Sequence, residues 1–315
     1  MAIAPRREQG GRSVREDALC RLALADNERL TMQALKPHIQ TLLRRVGLYQ
    51  RLKGSITYDL YWRMANREFI DDRSREVEFY RNLLRGFRKR DLIFDVGANQ
   101  GRKTDIFLRL GASVVAVDPD EVNQVVLKQR FLEYRLRRKP VIIVDKAVSD
   151  RKTVVTMWID APGCAQNTLS QKWVETLRGD ESRFGQRLDF AKKKKVETIT
   201  LDELIAEHGL PFFVKIDAEG HEPSILRGMH RPVPYLSFEV NLPEFKPEGL
   251  ECVELLGRVA ADGEFNYTAD CRNGLVLERW LKPGEFSREL GRCAEQSIEV
   301  FWRTSVAASR YFEAA

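Results

Sequence analysis

From residue 92 onward, short apolar runs alternate with amphipathic stretches, and this alternation restricts the fold more than any other feature of the sequence. The runs LIFDV, SVVAV, VIIV and FFVKI have the length of strands and are apolar at successive positions. Strands of this kind, separated by helices, are typical of a parallel sheet covered on both faces. Later strand-like runs, FNYTAD, LVLERW and SIEVFWR, follow one another and predict an antiparallel edge. The sequence therefore predicts an α/β fold with a doubly wound, mostly parallel sheet.

The first 90 residues follow a different pattern. Residues 1–16 are polar and rich in Gly and Arg, which predicts a disordered tail. In residues 17–90, apolar side chains recur at spacings of three and four, including a segment from Arg73 to Arg85, so we expect an N-terminal helical cap. The predicted α/β domain then covers residues 91–315.

Composition narrows the functional classes. The chain has 52 Lys and Arg against 46 Asp and Glu, and clusters at 135–139 and 192–195 carry much of the excess. These basic runs lack interleaved aromatic residues, so solvated faces are favoured and nucleic acid is an unlikely partner. Five scattered cysteines contain no CxxC pair, which predicts a reducing, cytoplasmic location and no structural metal. No apolar segment reaches the length of a membrane span.

A glycine-containing loop, GANQG, follows the first apolar run. Gly97 and Gly101 permit a tight turn and the close approach of a ligand, and Asn99 tolerates a left-handed backbone. A dinucleotide fingerprint would require glycine at Asn99 and Arg102, so a nicotinamide cofactor is disfavoured. Asp95, two residues before the loop, suits a cationic amino-acid moiety such as that of S-adenosylmethionine. A simple strand-to-helix turn is the alternative.

Acidic residues also follow the next two strands. Asp118 lies about 20 residues after the glycine loop, where a carboxylate can accept hydrogen bonds from ribose hydroxyls. Asp120 is the better candidate for capping the following helix. Asp145, after the third strand, can accept from the exocyclic amine of an adenine or lie in a plain loop.

The densest group of ionisable residues follows the run FFV. Five of them fall within eight positions: Lys215, Asp217, Glu219, His221 and Glu222. Lys215 and Asp217 share one face of the strand because side chains alternate along it. Charges at a buried strand end are costly unless they are paired or used in chemistry. Glu239 interrupts the next apolar run in the same way. A salt-bridged turn, with Glu222 capping a helix, is the structural alternative.

Together these segments resemble the FkbM family of S-adenosylmethionine-dependent methyltransferases. The resemblance rests on FDVGANQG, VVAVDPD, VETITLDEL, FVKIDAEGHEPSILRGM and LSFEVN, in that order, over about residues 92–245. It implies a class I methyltransferase fold, in which a Rossmann-like, doubly wound sheet of seven strands is mostly parallel with one antiparallel strand. The N-terminal helical extension predicted from periodicity lies outside the resemblance. The resemblance also implies methyl transfer to a hydroxyl of a sugar, glycan or small natural product.

The resemblance further implies roles for individual residues. The cofactor-binding set is Asp95, Gly97, Ala98, Asn99, Gly101, Thr104, Asp118, Pro119, Asp145, Lys146, Ala147 and Asp217. The catalytic set is Asp217, Glu219, His221 and Glu239, with Glu219 or His221 as the general base. A divalent ion on Asp217, Glu219 and Glu239 is an alternative to a base, but we expect no metal, since no pattern of supporting residues is readable.

Two other functions stay open. A nucleic-acid methyltransferase agrees with the positive charge, yet DAEGHE stands where an N-P-P-Y/F-type loop would favour methylation of base amines. A non-catalytic binding protein on the same fold would have lost the cofactor loop or the acidic cluster, and both are present. The expected partner is a small-molecule or glycan acceptor, and the oligomeric state is open.

Overall fold

The computed structural model describes residues 67–136, 141–178 and 188–305. The predicted tail, most of the predicted cap and the greater part of the basic cluster at 135–139 lie outside these residues. Among the described residues, no helix combines the length and the apolar character that crossing a bilayer requires.

The central sheet has seven strands: β1 (Leu92–Val96), β2 (Ser113–Val117), β3 (Val141–Val144), β7 (Phe213–Ile216), β8 (Tyr235–Asn241), β9 (Glu264–Thr268) and β10 (Ser297–Arg303). Their order is β3-β2-β1-β7-β8-β10-β9. The neighbours from β3 to β8 pair in parallel, and β10 is antiparallel to both β8 and β9. This confirms the predicted class I methyltransferase sheet with one antiparallel strand.

Helices cover both faces of this sheet. They are α1 (Arg67–Leu83), α2 (Arg102–Leu110), α3 (Glu121–Arg130), α4 (Leu132–Leu136), α5 (Gln171–Leu177), α6 (Leu201–His208), α7 (Glu222–Arg227), α8 (Lys246–Val259) and α9 (Pro283–Arg292). Alternate residues of one strand serve two separate cores: Ile93 packs with α1 and α2, whereas Phe94 packs with α6 and α7. The apolar runs of the sequence are therefore strands buried on both sides.

A smaller sheet contains β4 (Ala147–Val148), β5 (Val154–Ile159) and β6 (Lys192–Ile199) in the order β4-β6-β5. The predicted strand VIIVDKAV is thus two strands, and the lysine run begins β6 instead of preceding it. Lys192, Lys193 and Lys195 are exposed, as expected of a solvated face. Lys194 pairs with Glu121, with Nζ and Oε1 2.6 Å apart, and Lys195 donates to the Thr156 hydroxyl. Pairing with β5 holds this polar segment extended.

Two segments near the C-terminus differ from the sequence-based expectation. LVLERW is not a strand, and only an isolated bridge joins Leu281 to Phe265. The next residues form α9, which the sequence analysis did not predict. Pro283 starts this helix, and Phe286 and Leu290 lie one turn apart on its buried side.

The order of the strands reverses between β1 and β7, and ligands of open α/β sheets bind at such a reversal. The Asp217 amide donates to the Val96 carbonyl at 3.0 Å, so the loops after β1 and β7 are joined. Gly97 has φ +77°, and a Cβ at this position would lie 1.8 Å from the Asp217 carbonyl oxygen. The glycine is therefore required by the contact between the two loops as well as by the turn.

Gly97→Ala is expected to destabilise the fold at the point where the loops after β1 and β7 meet. The left-handed backbone costs a residue with a Cβ about 1–2 kcal/mol, and the clash with the Asp217 carbonyl adds to that. A loss of about 2 kcal/mol should lower the melting temperature by about 4–8 °C in a chain of this size. The control is Gly291→Ala in α9, where a Cβ meets open space. Equal melting temperatures for the two variants would contradict the role of this contact.

Candidate active site

A pocket lies beyond the carboxyl ends of β1, β2 and β7. We call it the strand-end pocket, and its lining includes Gly97, Asn99, Asp118, Pro119, Asn123, Lys146, Ala147, Met157, Asn167, Asp217, Glu219 and His221. Residues that are more than 100 positions apart meet here because parallel strands bring their ends to one edge of the sheet.

The glycine loop adopts the backbone that its sequence predicts. Gly97, Asn99 and Gly101 have φ angles of +77°, +48° and +78°. The Asn99 amide donates to Asp118 Oδ2 at 2.8 Å, which fixes the loop against the end of β2. Gly97 and Asn99 line the strand-end pocket, whereas Ala98 and Gly101 lie behind it.

Asp118 is the carboxylate with the best position for a ribose. It accepts from the amides of Asn99 and Asp120 and from Asn123 Nδ2, while burial raises its pKa to about 6. A carboxylate offers about four acceptor positions, so one remains for a ligand. Asn123 Oδ1 is buried and has no hydrogen-bond partner among the described residues. The two acceptors fit a ribose diol, and the role of Asn123 was not predicted from the sequence.

Asp95 and Asp145 differ from their predicted roles. Asp95 is 1% exposed and lies outside the lining of the strand-end pocket. It accepts a hydrogen bond from Thr104 Oγ1 at 2.5 Å, and burial raises its pKa. This hydrogen bond joins the end of β1 to the first turn of α2, the two elements that the glycine loop connects. Asp145 is exposed and also lies outside the lining, so the adenine contact predicted for it has no support from this geometry and stays a prediction, while Lys146 and Ala147 do line the pocket.

A loop before α5 closes one side of the strand-end pocket and was not recognised in the sequence. Asp120 Oδ2 accepts from the Gly163 amide at 3.0 Å and from Asn167 Nδ2 at 2.9 Å. Thr168 Oγ1 donates to the Glu219 carbonyl at 2.7 Å. The same Asp120 caps α3 through the Val122 amide, as the sequence predicts.

His221 lies in the strand-end pocket beside the end of β4. Its Nε2 atom is 3.0 Å from Ser149 Oγ, and burial lowers its pKa to about 4. The imidazole is therefore neutral at physiological pH. It does not line the second cavity described below, so its predicted role as a general base lacks geometric support and stays a prediction.

Lys215 and Asp217 form an ion pair at the point where β7 ends. Lys215 is 3% exposed, and its Nζ lies 2.7 Å from Asp217 Oδ2. Burial by itself would raise the pKa of Asp217, but the ammonium beside it outweighs that effect and the pKa is lowered. Asp217 is consequently a carboxylate at neutral pH. Glu222 accepts from the Ala218 amide within the turn, and it does not cap the helix that follows, contrary to the structural alternative.

Glu239 and Glu219 lie close to Asp217 but differ from it in charge state. Burial and the neighbouring Asp217 raise the pKa of Glu239 to about 8, and Ser297 Oγ donates to Glu239 at 2.9 Å. Burial and the Glu239 carboxylate raise the pKa of Glu219 well above its ordinary value. The three groups offer ligand atoms within 4.8 Å of one another, a spacing that suits one cation. The expectation of no metal stays a prediction.

A second cavity, of about 530 Å³, opens on the other side of Asp217. We call it the charged cavity, and its lining includes Asp72, Arg73, Glu76, Arg102, Lys103, Asp105, Arg130, Lys215, Asp217, Glu239, Asp270, Cys271, Arg272, Ser297 and Glu299. Its floor is a network in which Lys103 donates to Glu76 and Tyr80, and Ser237 donates to Glu299. Asp217 lines both cavities.

The comparisons with known proteins agree with this geometry. The family model described as the methyltransferase FkbM domain matches residues 95–255, more than half of the chain. The protein therefore belongs to the FkbM family of S-adenosylmethionine-dependent methyltransferases, and S-adenosylmethionine is its cofactor. The unpartnered acceptor on Asn123 and the remaining position on Asp118 fit the ribose of that cofactor. No curated protein was found to match the chain.

Solved structures with a similar course of the chain include several methyltransferases. A TehB-like methyltransferase from Corynebacterium glutamicum is 12% identical, with 73% of this chain and 87% of that chain covered and a TM-score of 0.37. An O-methyltransferase from Bacillus cereus, solved with S-adenosylhomocysteine, is 11% identical, with 73% and 81% covered and a TM-score of 0.36. At these scores the likeness adds nothing to what strand order and the family match establish.

Proposed function

We propose that the protein transfers a methyl group from S-adenosylmethionine to a hydroxyl oxygen of a sugar, glycan or other small polyhydroxylated acceptor. The observation that supports this most directly is the position of Asp217, which lines both the strand-end pocket and the charged cavity. The cofactor would occupy the first and the acceptor the second. Donor and acceptor would then meet beside the carboxylates of Asp217 and Glu239.

The cofactor supplies an electrophilic methyl group, and the protein supplies alignment and removal of a proton. Asp118, Asn123 and the glycine loop would hold the cofactor, and the walls of the charged cavity would orient the acceptor. Alignment of two reactants can contribute about 7–11 kcal/mol to lowering a barrier. Glu239 would take the hydroxyl proton, because it lines the charged cavity and its pKa of about 8 makes it a stronger base than an ordinary carboxylate.

The charged cavity favours a hydroxylated acceptor over a nucleobase. Enzymes that act on a base hold it between aromatic or apolar side chains. The described lining of this cavity contains no aromatic side chain and is dominated by groups that donate or accept hydrogen bonds. Hydroxyl groups match such a surface because each can both donate and accept.

Calorimetric titration with S-adenosylmethionine and S-adenosylhomocysteine, with and without EDTA, tests the cofactor pocket and the metal prediction. We expect binding that EDTA does not change. Radiolabelled methyl transfer to a panel of sugars, glycosides, nucleosides and amines then tests the acceptor class. Transfer to the hydroxylated compounds would support the proposal. Failure to bind either cofactor form, or transfer to amines alone, would overturn it.

A further inference from the structure

We infer that the acceptor carries an anionic group, a phosphate or a carboxylate, which binds Arg102 and Arg130 in the charged cavity. This inference rests on the proposed function, since it assumes that the charged cavity receives the acceptor. It is carried by the distribution of paired and unpaired charges around that cavity.

The buried cations of the cavity are neutralised by carboxylates of the protein. Lys215 pairs with Asp217 at 2.7 Å. Lys103 pairs with Glu76 and lies 3.6 Å from Glu299 Oε2. These ammonium groups stabilise the carboxylates around them and leave little charge for a ligand.

Two of the arginines are neutralised as well. Arg272 lies 2.7 Å from Asp72 Oδ2 and 2.6 Å from Asp270 Oδ2, so its guanidinium has two carboxylate partners. Arg73 lies 3.4 Å from Asp105 Oδ2.

Arg102 and Arg130 are the exceptions. The side chain of Arg102 is 71% exposed, and its partner, Glu76 at 3.5 Å, already receives the shorter bond from Lys103. Arg130 donates to the Gln100 carbonyl at 2.9 Å and lies over the Phe131 ring, and no carboxylate of the described residues forms an ion pair with it. Arg102 and Arg130 both line the charged cavity.

The described lining has seven carboxylates and six cationic side chains in all, so Arg102 and Arg130 attract an anion locally and not through an excess of positive charge. Glu239 lines the cavity beside Asp217, and with a pKa of about 8 it is mainly protonated at neutral pH. Two arginines that have no carboxylate to themselves therefore line the same cavity as Glu239. Guanidinium groups bind carboxylates and phosphates through paired hydrogen bonds, whereas a neutral sugar leaves their charge unmatched. An acceptor with an anionic group at these arginines and a hydroxyl at Glu239 matches both.

The experiment compares three probes that differ in one substituent: glucose, glucose 6-phosphate and glucuronic acid. Each is titrated calorimetrically into the full chain loaded with S-adenosylhomocysteine. The proteins compared are the wild type, the Arg102→Gln/Arg130→Gln double variant and an Arg258→Gln control, whose side chain is exposed on α8 and pairs with Glu254. We expect at least one anionic probe to bind the wild type and the control at least about tenfold more tightly than glucose. The double variant should lose this preference.

The ranking of glucose 6-phosphate against glucuronic acid identifies the anionic group. Three results would overturn the inference. They are equal affinity for all three probes, failure of both glucose 6-phosphate and glucuronic acid to bind, and a preference for the anionic probes that persists in the double variant. A fall in S-adenosylhomocysteine affinity with unchanged selectivity would assign the arginines to the carboxylate of the cofactor, which also overturns it. Failure of the proposed function is separate, since wild-type protein would then bind no cofactor or transfer no methyl group to hydroxyls.

Discussion

Glu239→Gln should lower the rate of methyl transfer by about 10²–10⁴-fold while cofactor affinity stays unchanged. The amide keeps the size of the side chain and can still accept from Ser297 Oγ, but it cannot take a proton from the acceptor. The measurement is the rate of transfer at saturating S-adenosylmethionine, together with a calorimetric titration of the cofactor. A parallel variant, His221→Gln, tests the competing prediction for the general base, because His221 lies in the other pocket.

The pH dependence of the methyl-transfer rate provides a second test of Glu239 as the general base. The wild-type rate should rise with pH until the group with a pKa of about 8 is ionised, and the sulfonium of the bound cofactor should move that point downward. Stability should change in the opposite sense. The folded protein binds more protons than the unfolded chain between the ordinary pKa of 4.5 and about 8, so the free energy of unfolding falls as pH rises through that window. Glu239→Gln should reduce the pH dependence of the transfer rate and that of the free energy of unfolding. An unchanged pH profile of the rate would contradict the assignment of Glu239 as the general base.

Lys215→Met should cost about 3–5 kcal/mol of stability, because it leaves the Asp217 carboxylate buried without its cation. Such a loss lowers the melting temperature by about 6–20 °C in a chain of this size. Asp95 would lose the same compensating charge, since Lys215 is the main group that lowers its pKa against the effect of burial. Urea denaturation followed by circular dichroism provides the measurement.

Two further variants separate the ion pair from general effects of losing a lysine. Lys195→Met removes an exposed lysine from β6 and should leave stability nearly unchanged. Adding Asp217→Asn to Lys215→Met should recover part of the lost stability, since no uncompensated carboxylate remains at the strand end. A double variant less stable than Lys215→Met alone would show that the two side chains do not act as a pair.

The sequence predicted those parts of the site whose residues lie close together along the chain. The strand, the glycine loop and Asp118 could be found because chain direction and spacing decide which residues reach the end of a strand. The roles of Asn123 and of the loop around Gly163 were not predicted, because they depend on contacts between segments that are far apart in the chain. Examples are the hydrogen bonds from Gly163 and Asn167 to Asp120. No local pattern marks such contacts.

The same limit explains the charged residues whose roles were assigned by position alone. His221 stands in the densest acidic segment of the sequence, yet the turn after Gly220 directs it toward Ser149. Asp95 precedes the glycine loop, but its side chain accepts from Thr104 in α2. The lysine run is not predicted as a strand, and its pairing with β5 makes it one. In each case a contact with another element decides the outcome.

The sharing of Asp217 by two otherwise distinct cavities has a consequence for how such enzymes diversify. The strand-end pocket is built from segments that the family model covers, whereas several walls of the charged cavity come from α1, the 3₁₀ turn at Cys271–Asn273 and β10, which lie outside that match. If the charged cavity receives the acceptor, as proposed, substitutions in these outer segments should change which molecule is methylated without changing the binding of the donor. Directed evolution toward new acceptors should therefore begin with α1 and the C-terminal segments and leave the two loops joined at Gly97 intact.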